Sequence, residues 1–483
     1  MFCTRGSLAR GNGTIRSVFT AVVLSTLLIA AAQAQTPTPL YSFNPSNSDP
    51  FNFRNSGTMA QGQDGNIYTT SISGGPQGTY YPEGMVFNMS PAGSPTQVID
   101  FICNPLGGCT DGDNPYSGAE PLPDGNFLVA PLGGGQYGYG DVLLVTPTSN
   151  LSHLYDFTGG SDGGQPFAAP ILGTDGNYYG VTSCGGATPC GQGCGTIYQL
   201  TPAGTLGWVY QFNGGSDGCF AFAPLVEGKD GNFYGSTGGG TGSIFRITPA
   251  GVFTVVTNSE GGVAPLIQGS DGSFYGTSWG GTAGCGEIYK MTPAGKITVL
   301  HRLNPDASEG CTFDAGLVQG TDGYFYGVAL QGGQNNFGTI FRVGSKGGST
   351  FSVLYQFDGA NGVIGGVVEV SLLQHTNGSF YGLSNAGGTY GYGTFFSWNP
   401  STPLKPFASP ATTSGPVGAT IGILGQGFTG AKKVAFSGIV APFTVISDTY
   451  LTATVPTGAK SGFVTVKTPS GTLKSSKKFT VTQ

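Results

Sequence analysis

The chain is 483 residues long with 38% hydrophobic residues, enough for a large core and a second domain, and that apolar content excludes a membrane bundle. Only 9% of residues are charged while 87 are glycine, which suits tight turns and closely packed sheets and excludes a protein built on long amphipathic helices. The formal net charge of −6 is divided unevenly: residues 35–409 carry 9 Lys and Arg against 24 Asp and Glu, and residues 410–483 carry 7 Lys against Asp448 alone.

Residues 1–34 place Arg5, Arg10 and Arg16 around the start of an apolar run from Val18 to Ala32, which ends in a small-residue site at Ala32-Gln33-Ala34. The run is shorter than the ~20 residues a spanning helix needs, so it reads as an export signal cleaved after Ala34 rather than as an anchor. No cysteine stands at the cleavage point to carry a lipid, and no transmembrane segment is expected after it. The expected location is secreted, cell-surface or periplasmic.

From Asp64 onward one motif recurs seven times. It begins at Asp64 (DGNIYT), Asp124 (DGNFLV), Asp175 (DGNYYG), Asp230 (DGNFYG), Asp271 (DGSFYG), Asp322 (DGYFYG) and Asn377 (NGSFYG). Such a period marks a repeat architecture. Asp-Gly or Asn-Gly between apolar runs signals a hairpin, since the turn needs positive φ and the following aromatics begin a strand. The copy from Ala264 onward, APLIQGSDGSFYGTSWGGTAGCGEIYKMTPAGKITVLHRLN, divides into short strands at 265–268 (a), 274–277 (b), 287–292 (c) and 296–303 (d). Its a–b link is Asp-Gly and its c–d link Thr-Pro-Ala-Gly, both tight. Strand c is apolar on both faces, Ile197, Ile244, Ile288 and Ile340 alternating with Tyr198, Phe245, Tyr289 and Phe341, so each small sheet is packed on both sides. Seven such repeats predict an all-β fold, a seven-bladed β-propeller over residues 35–407. Only six d strands lie between the motifs. The seventh is expected at 40–43, Leu-Tyr-Ser-Phe, where it would join the last blade and close the ring, with 404–407 a weaker competitor.

Loss of Cys3 with the signal leaves eight cysteines, an even number that predicts disulfides in an exported chain rather than buried thiols. Cys194 and Cys285 stand just before GTIYQL and GEIYKM, and Cys219 and Cys311 at matching places in the loops that follow. Cys194–Cys219 and Cys285–Cys311 are therefore expected as equivalent bridges, leaving Cys103 with Cys109 and Cys184 with Cys190 as local closures.

Pro, Ser, Thr and Gly dominate 403–417, and 408–416 read as a linker. Beyond it, in 417–483, alternating runs at Ile421/Ile423, Val434/Phe436, Phe443/Val445, Leu451/Ala453/Val455, Val464/Val466 and Phe479/Val481 describe a small immunoglobulin-like β-sandwich.

The pattern P-x-x-L-x-x-x-DGNFYG…GTIYQLTPAG…LYxF resembles the GloVer-type tandem repeat of exported bacterial proteins over about residues 40–407, and more distantly NHL and streptogramin-lyase propellers. The stretches GPVGATIGILGQGFTGAKKVAFSG and SDTYLTATVPTGAKSGFVTVKTPSGT resemble an IPT/TIG immunoglobulin-like domain over nearly all of 414–483. The first resemblance implies a fold without a common ligand. The second implies a spacer or binding module; the DNA-contacting version in transcription factors is set aside by the export signal, so no nucleic-acid partner is expected.

With a–b and c–d links short, the long b–c and d–a loops gather at the opposite end of every blade, where function concentrates on such scaffolds. The b–c loops carry Tyr80, Tyr81, Tyr137, Tyr139, Trp279, Phe337, Tyr390 and Tyr392 among glycines. Rigid aromatic faces with few charges nearby suit stacking on sugar rings or an extended peptide; packing of Tyr-Gly pairs to stabilise the loops is the alternative. No catalytic residue is assigned. His153 and His301 fall in d strands and His375 near the tight end, and the chain contains no zinc motif or nucleophile elbow. Glu83, Glu120, Asp141, Glu227 and Glu287 leave a carbohydrate-active enzyme as the second reading and a structural surface protein as the third. Asp111, Asp113, Asp162 and Asp217 offer the oxygens a Ca²⁺ ion takes, but Asp-capped turns account for them and no cofactor is expected. The leading expectation is non-catalytic binding of a polysaccharide, another extracellular polymer or a cell-envelope component by the loop face. The basic C-terminal end could dock on anionic envelope polymers.

Overall fold

The computed structural model describes residues 36–53, 58–75, 81–103, 109–188, 191, 193–239, 242–258, 264–278, 284–304, 309–347, 350–359 and 370–482. Residues 1–34, expected as an export signal, lie outside them. The fold is all-β, and its repeats form the four-stranded sheets of a β-propeller. In the fifth of these, Ile267–Gln268, Phe274–Ser278, Glu287–Met291 and Ile297–Arg302 pair antiparallel in that order, within two residues of the expected bounds. Five more sheets repeat this order over 60–103, 120–156, 171–211, 226–257 and 318–356. In the seventh, Leu373–Gln374, Phe380–Ser384 and Thr394–Trp398 take Thr38–Ser42 as their fourth strand, with Ser42 opposite Thr394. Residues 404–407 form no strand, and the Phe407 N–H donates to the Thr376 carbonyl at 3.0 Å. No helix among the described residues is long and apolar enough to cross a membrane.

The recurring motif is explained by the interfaces between sheets. One oxygen of Asp271 accepts from the Ser273 N–H at 3.0 Å, fixing the turn, and the other accepts from the Tyr275 hydroxyl at 2.8 Å. Asp64–Tyr68, Asp175–Tyr179, Asp230–Tyr234 and Asp322–Tyr326 repeat that bond, and in the seventh sheet Asn377 Nδ2 donates to the Tyr381 hydroxyl. The tyrosine then packs on the phenylalanine of the next motif, Tyr68 on Phe127 (4.3 Å between centroids), Tyr179 on Phe233 (3.8 Å), Tyr275 on Phe325 (3.8 Å) and Tyr326 on Phe380 (4.7 Å). Aspartate thus shapes the hairpin, while Tyr and Phe fill the gap between neighbours.

Buried clusters accordingly lie between sheets. Tyr68, Val86, Phe127 and Leu143 join the first and second, Tyr179, Ile197, Phe233 and Phe245 the third and fourth, and Phe43, Ile67, Phe87, Tyr381 and Phe395 the seventh and first. The two apolar faces of strand c follow from this: Ile197 packs towards the fourth sheet and Tyr198 towards the second.

A polar tie accompanies the packing. The Gln268 side-chain oxygen accepts from the Lys229 N–H of the preceding turn (3.0 Å), Gln319 from Ser270 (2.9 Å), Gln374 from Thr321 (3.0 Å) and Gln61 from Thr376 (3.0 Å), the last joining the first sheet to the seventh. Glu227 does the same for Thr174. Between the second and third sheets the turn residue is Pro123, which has no N–H to give, and the facing position is Leu172.

Residues 409–482 form two four-stranded sheets and a parallel pair around Ile421, Ile423, Phe428, Val434, Phe436, Leu451, Val464, Val466 and Phe479. The stretch 408–416, expected as a linker, instead carries two strands: Ser409–Pro410 pairs with Thr420–Leu424, and Ser414–Pro416 with Thr480–Thr482. Both lie at sheet edges, where proline's missing N–H needs no partner, so the Pro-rich composition did not mark a free connector.

Candidate functional site

The tight-turn end is partly covered. Thr449 Oγ1 donates to the Gln63 carbonyl at 2.7 Å, Gln426 Nε2 to Thr376 Oγ1 at 2.9 Å, and the Tyr450 hydroxyl to the Pro123 carbonyl at 3.4 Å. The C-terminal sheets therefore sit on the turns of the first, second and seventh sheets. The end of these sheets left free is the opposite one, built from the b–c and d–a loops.

Two positions organise those loops. One immediately precedes the glycine that opens strand c; the other is where the d–a loop pairs back onto the b–c loop, at Phe51, Asp113, Gly164, Cys219 and Cys311. In the third and fifth sheets the two positions are joined by Cys194–Cys219 and Cys285–Cys311, with Cα atoms 4.4 and 4.5 Å apart, as expected from their spacing. Bridges of this kind suit a chain that folds outside a reducing compartment. In the seventh sheet Tyr392 and Phe51 occupy the same two positions and meet edge to face at 5.7 Å. An aromatic pair thus replaces a disulfide. Tyr139 and Phe337 take the first position in the second and sixth sheets, and their rings lie so close over Gly159 and Gly359 that neither glycine has room for a Cβ. Cys109 and Cys184 are also disulfide-bonded; the Cys103 side chain and Cys190 lie outside the described residues.

The predicted aromatics therefore divide. Tyr139, Phe337 and Tyr392 are packed loop fasteners with one face in solvent, whereas Tyr137 and Tyr390, at equivalent places two residues earlier, are 51% and 52% exposed. Tyr80 and Trp279 lie outside the described residues. So does the side chain of Tyr81, whose backbone opens the strand Tyr81–Met89. Sequence reasoning missed Phe220, 42% exposed in the d–a loop with φ +59°. Asn52, Asn114, Gln165 and Thr312 share that left-handed position, so a bulky aromatic there is unusual. Its place directly after Cys219 was the available signal.

The acids are mostly committed to structure. Asp162 accepts from the Thr158 N–H and the Tyr155 hydroxyl, and Asp217 from the Asn213 N–H and the Tyr210 hydroxyl, as capped turns. Glu227 is held by Thr174 at the tight-turn end, and Glu287 is paired with Arg302 at 2.6 Å. The side chain of Glu83 lies outside the described residues. His301 meets Glu309 at 3.0 Å, and His375 is buried against the Gly65 carbonyl. Glu120 stands where other sheets have Ala60, Ile171, Val226, Ile267, Val318 and Leu373. Burial pushes its carboxyl from 4.5 up to about 7. A group raised on folding adds stability that is complete below its unfolded value and lost as pH rises through its folded one. Denaturation midpoints of the native chain are therefore expected to fall between about pH 5 and pH 8 relative to those of Glu120→Gln, and parallel curves for the two would refute the assignment.

A family model described as the Gloeobacter/Verrucomicrobia repeat matches residues 54–265 and 260–426, and the chain belongs to that family. No curated protein sequence matches the chain. Among solved structures, a lectin from Burkholderia pseudomallei is similar at 12% identity over 74% of this chain and 97% of its own, with a TM-score of 0.48. A gluconolactonase from Xanthomonas campestris is similar at 12% identity (59% of this chain, 85% of its own, TM-score 0.35). The PQQ-bound aldose sugar dehydrogenase of Streptomyces coelicolor is similar at 14% identity (59% and 93%, TM-score 0.36). No activity or ligand follows from likenesses of this degree.

Proposed function

We propose that this member of the Gloeobacter/Verrucomicrobia repeat family is an exported, non-catalytic recognition protein. In this reading the seven sheets are the blades of a propeller closed by its first strand, and the loop end takes up a polysaccharide or another extracellular polymer. The C-terminal part is an immunoglobulin-like domain of the IPT/TIG kind, serving as spacer or envelope contact, and residues 1–34 are the signal. One observation carries the reading. Among the described residues the exposed aromatics, Tyr137, Tyr139, Phe220, Phe337, Tyr390 and Tyr392, all belong to b–c or d–a loops, while the other large exposed apolar residues are aliphatic. Rigid rings on a disulfide-braced surface suit stacking on sugar faces at little ordering cost.

Binding to a panel of immobilised polysaccharides tests this. The double variant Tyr137→Ala/Tyr390→Ala is expected to lose about tenfold to a hundredfold in affinity, from about 0.5–1.5 kcal/mol per ring beyond its buried area. Undiminished binding by the variant, or no binding to any polymer by the native chain, ends the reading.

A further inference from the structure

We propose that the second sheet carries a site for one transition-metal dication, zinc fitting best, formed by Asp141, His153 and Asp156 with Asp111 behind the imidazole. This stands apart from polymer binding and begins with the strand register. Asp141 lies directly opposite Asp156. The corresponding pairs are Thr196 with Gln211, Thr339 with Gln356 and Thr394 with Ser42, all neutral, and in the first sheet Met85 with Asp100. In the fifth sheet it is Glu287 with Arg302, where the chain supplies its own cation. Two carboxylates facing each other across a ladder are destabilising. Among the described residues no Lys or Arg forms an ion pair with either.

The second observation is the state of Asp141. Its side chain is fully buried, and apart from the His153 imidazole facing Oδ2 no group among the described residues comes to either carboxylate oxygen as a hydrogen-bond partner, an arrangement that is costly unless a cation completes the site. Oδ2 faces His153 Nδ1 at 3.4 Å, and Nδ1 lies 3.9 Å from Asp156 Oδ1. The ligand atoms of all three residues fall within 4.8 Å of one another. Bonds of about 2.0–2.2 Å in a tetrahedron place ligand atoms about 3.3–3.6 Å apart, so the first distance already fits and the second needs a small adjustment. Nε2 of the same imidazole faces Asp111 Oδ1 at 3.4 Å, the carboxylate partner that orients a metal-binding histidine. Gly135 keeps the space open, since a Cβ there would lie 2.8 Å from Asp156 Oδ1 and 3.3 Å from Asp141 Cβ.

One imidazole nitrogen with carboxylates, and water in the fourth position, suits zinc and its neighbours, whereas calcium takes six to eight oxygens. The Gln136 N–H donates to Asp156 Oδ1 at 2.9 Å, so an ion here would also fasten the loop that carries Tyr137.

The test uses the untagged chain lacking residues 1–34, freed of metal by a chelator and titrated with zinc chloride in a calorimeter. The native chain is expected to bind one equivalent at this site and to melt at a higher temperature with zinc than with EDTA. The double variant Asp141→Thr/Asp156→Gln carries the pair found in the third and sixth sheets, so it keeps the fold. It is expected to lose that equivalent and the metal-dependent shift while melting no lower than the native chain in EDTA. Asp111→Asn is expected to weaken binding by about 10–100-fold. The assignment is overturned if the native chain takes up no zinc, if the double variant takes up as much, or if calcium is bound in preference.

Discussion

Replacing Phe43 by alanine is expected to lower stability by about 3–5 kcal/mol, the cost of emptying a fully buried aromatic site. Phe43 is 0% exposed, its ring is 4.6 Å from that of Phe53 and 6.2 Å from that of Phe87, and its N–H donates to the Gly393 carbonyl at 3.1 Å. It follows the strand Thr38–Ser42, and its cluster unites the first and seventh sheets. Phe157, equally buried between the second and third sheets, is the control. Both alanine variants should unfold at lower urea concentration. Only Phe43→Ala should also release residues 38–42 early to proteolysis or hydrogen exchange, because there the first strand meets Thr394–Trp398 without a connecting loop. Equal protection of 38–42 in the two variants would show that Phe43 does not hold this strand.

The second large effect is expected from the paired variant Cys285→Ala/Cys311→Ala. A bridge closing a segment of 26 residues stabilises by about 3–4 kcal/mol through the unfolded chain, and the native chain should lose more than this on reduction, which opens Cys194–Cys219 as well. The structure also names a partial rescue. Since Tyr392 and Phe51 fill the same two positions at 5.7 Å, Cys285→Tyr/Cys311→Phe should recover part of the loss under non-reducing conditions, an aromatic pair contributing about 0.5–1.5 kcal/mol beyond area. A Tyr/Phe variant less stable than the Ala/Ala variant would refute the equivalence. Urea midpoints of the three chains decide the matter.

How far the fold was legible depended on whether a residue's partner lay within its own repeat. The Asp-Gly turns, the alternation in strand c and the cysteine spacing are local or repeat-periodic, and they located the strands of the fifth sheet to within two residues. The glutamine ties went unread because Gln268 and Lys229 sit in different repeats and nothing in a Gln marks the N–H it will accept. The aromatics were half legible. Residue type and loop position placed Tyr392 at the free end, but that it fastens a loop follows only from Phe51, which lies more than 300 residues earlier in the chain. Aligning Tyr392 with Cys194 and Phe51 with Cys219 would have revealed it. The stretch 408–416 misled for a different reason, since Pro and Ser suit an edge strand as well as a connector.

The pairing of Thr38–Ser42 with Thr394–Trp398 also governs the order in which the chain can mature. The strand Thr38–Ser42 has no partner until the chain has been made as far as Thr394–Trp398, and closing so long a loop is slow. Until then the seventh sheet lacks an edge and Phe43 lacks its pocket, so a partly made chain stays open. Residues 426 and 449, which hold Thr376 of the seventh sheet and Gln63 of the first, come later still. These later residues thus straddle the junction that Thr38–Ser42 completes, and they tie the first and seventh sheets together only after that junction can form.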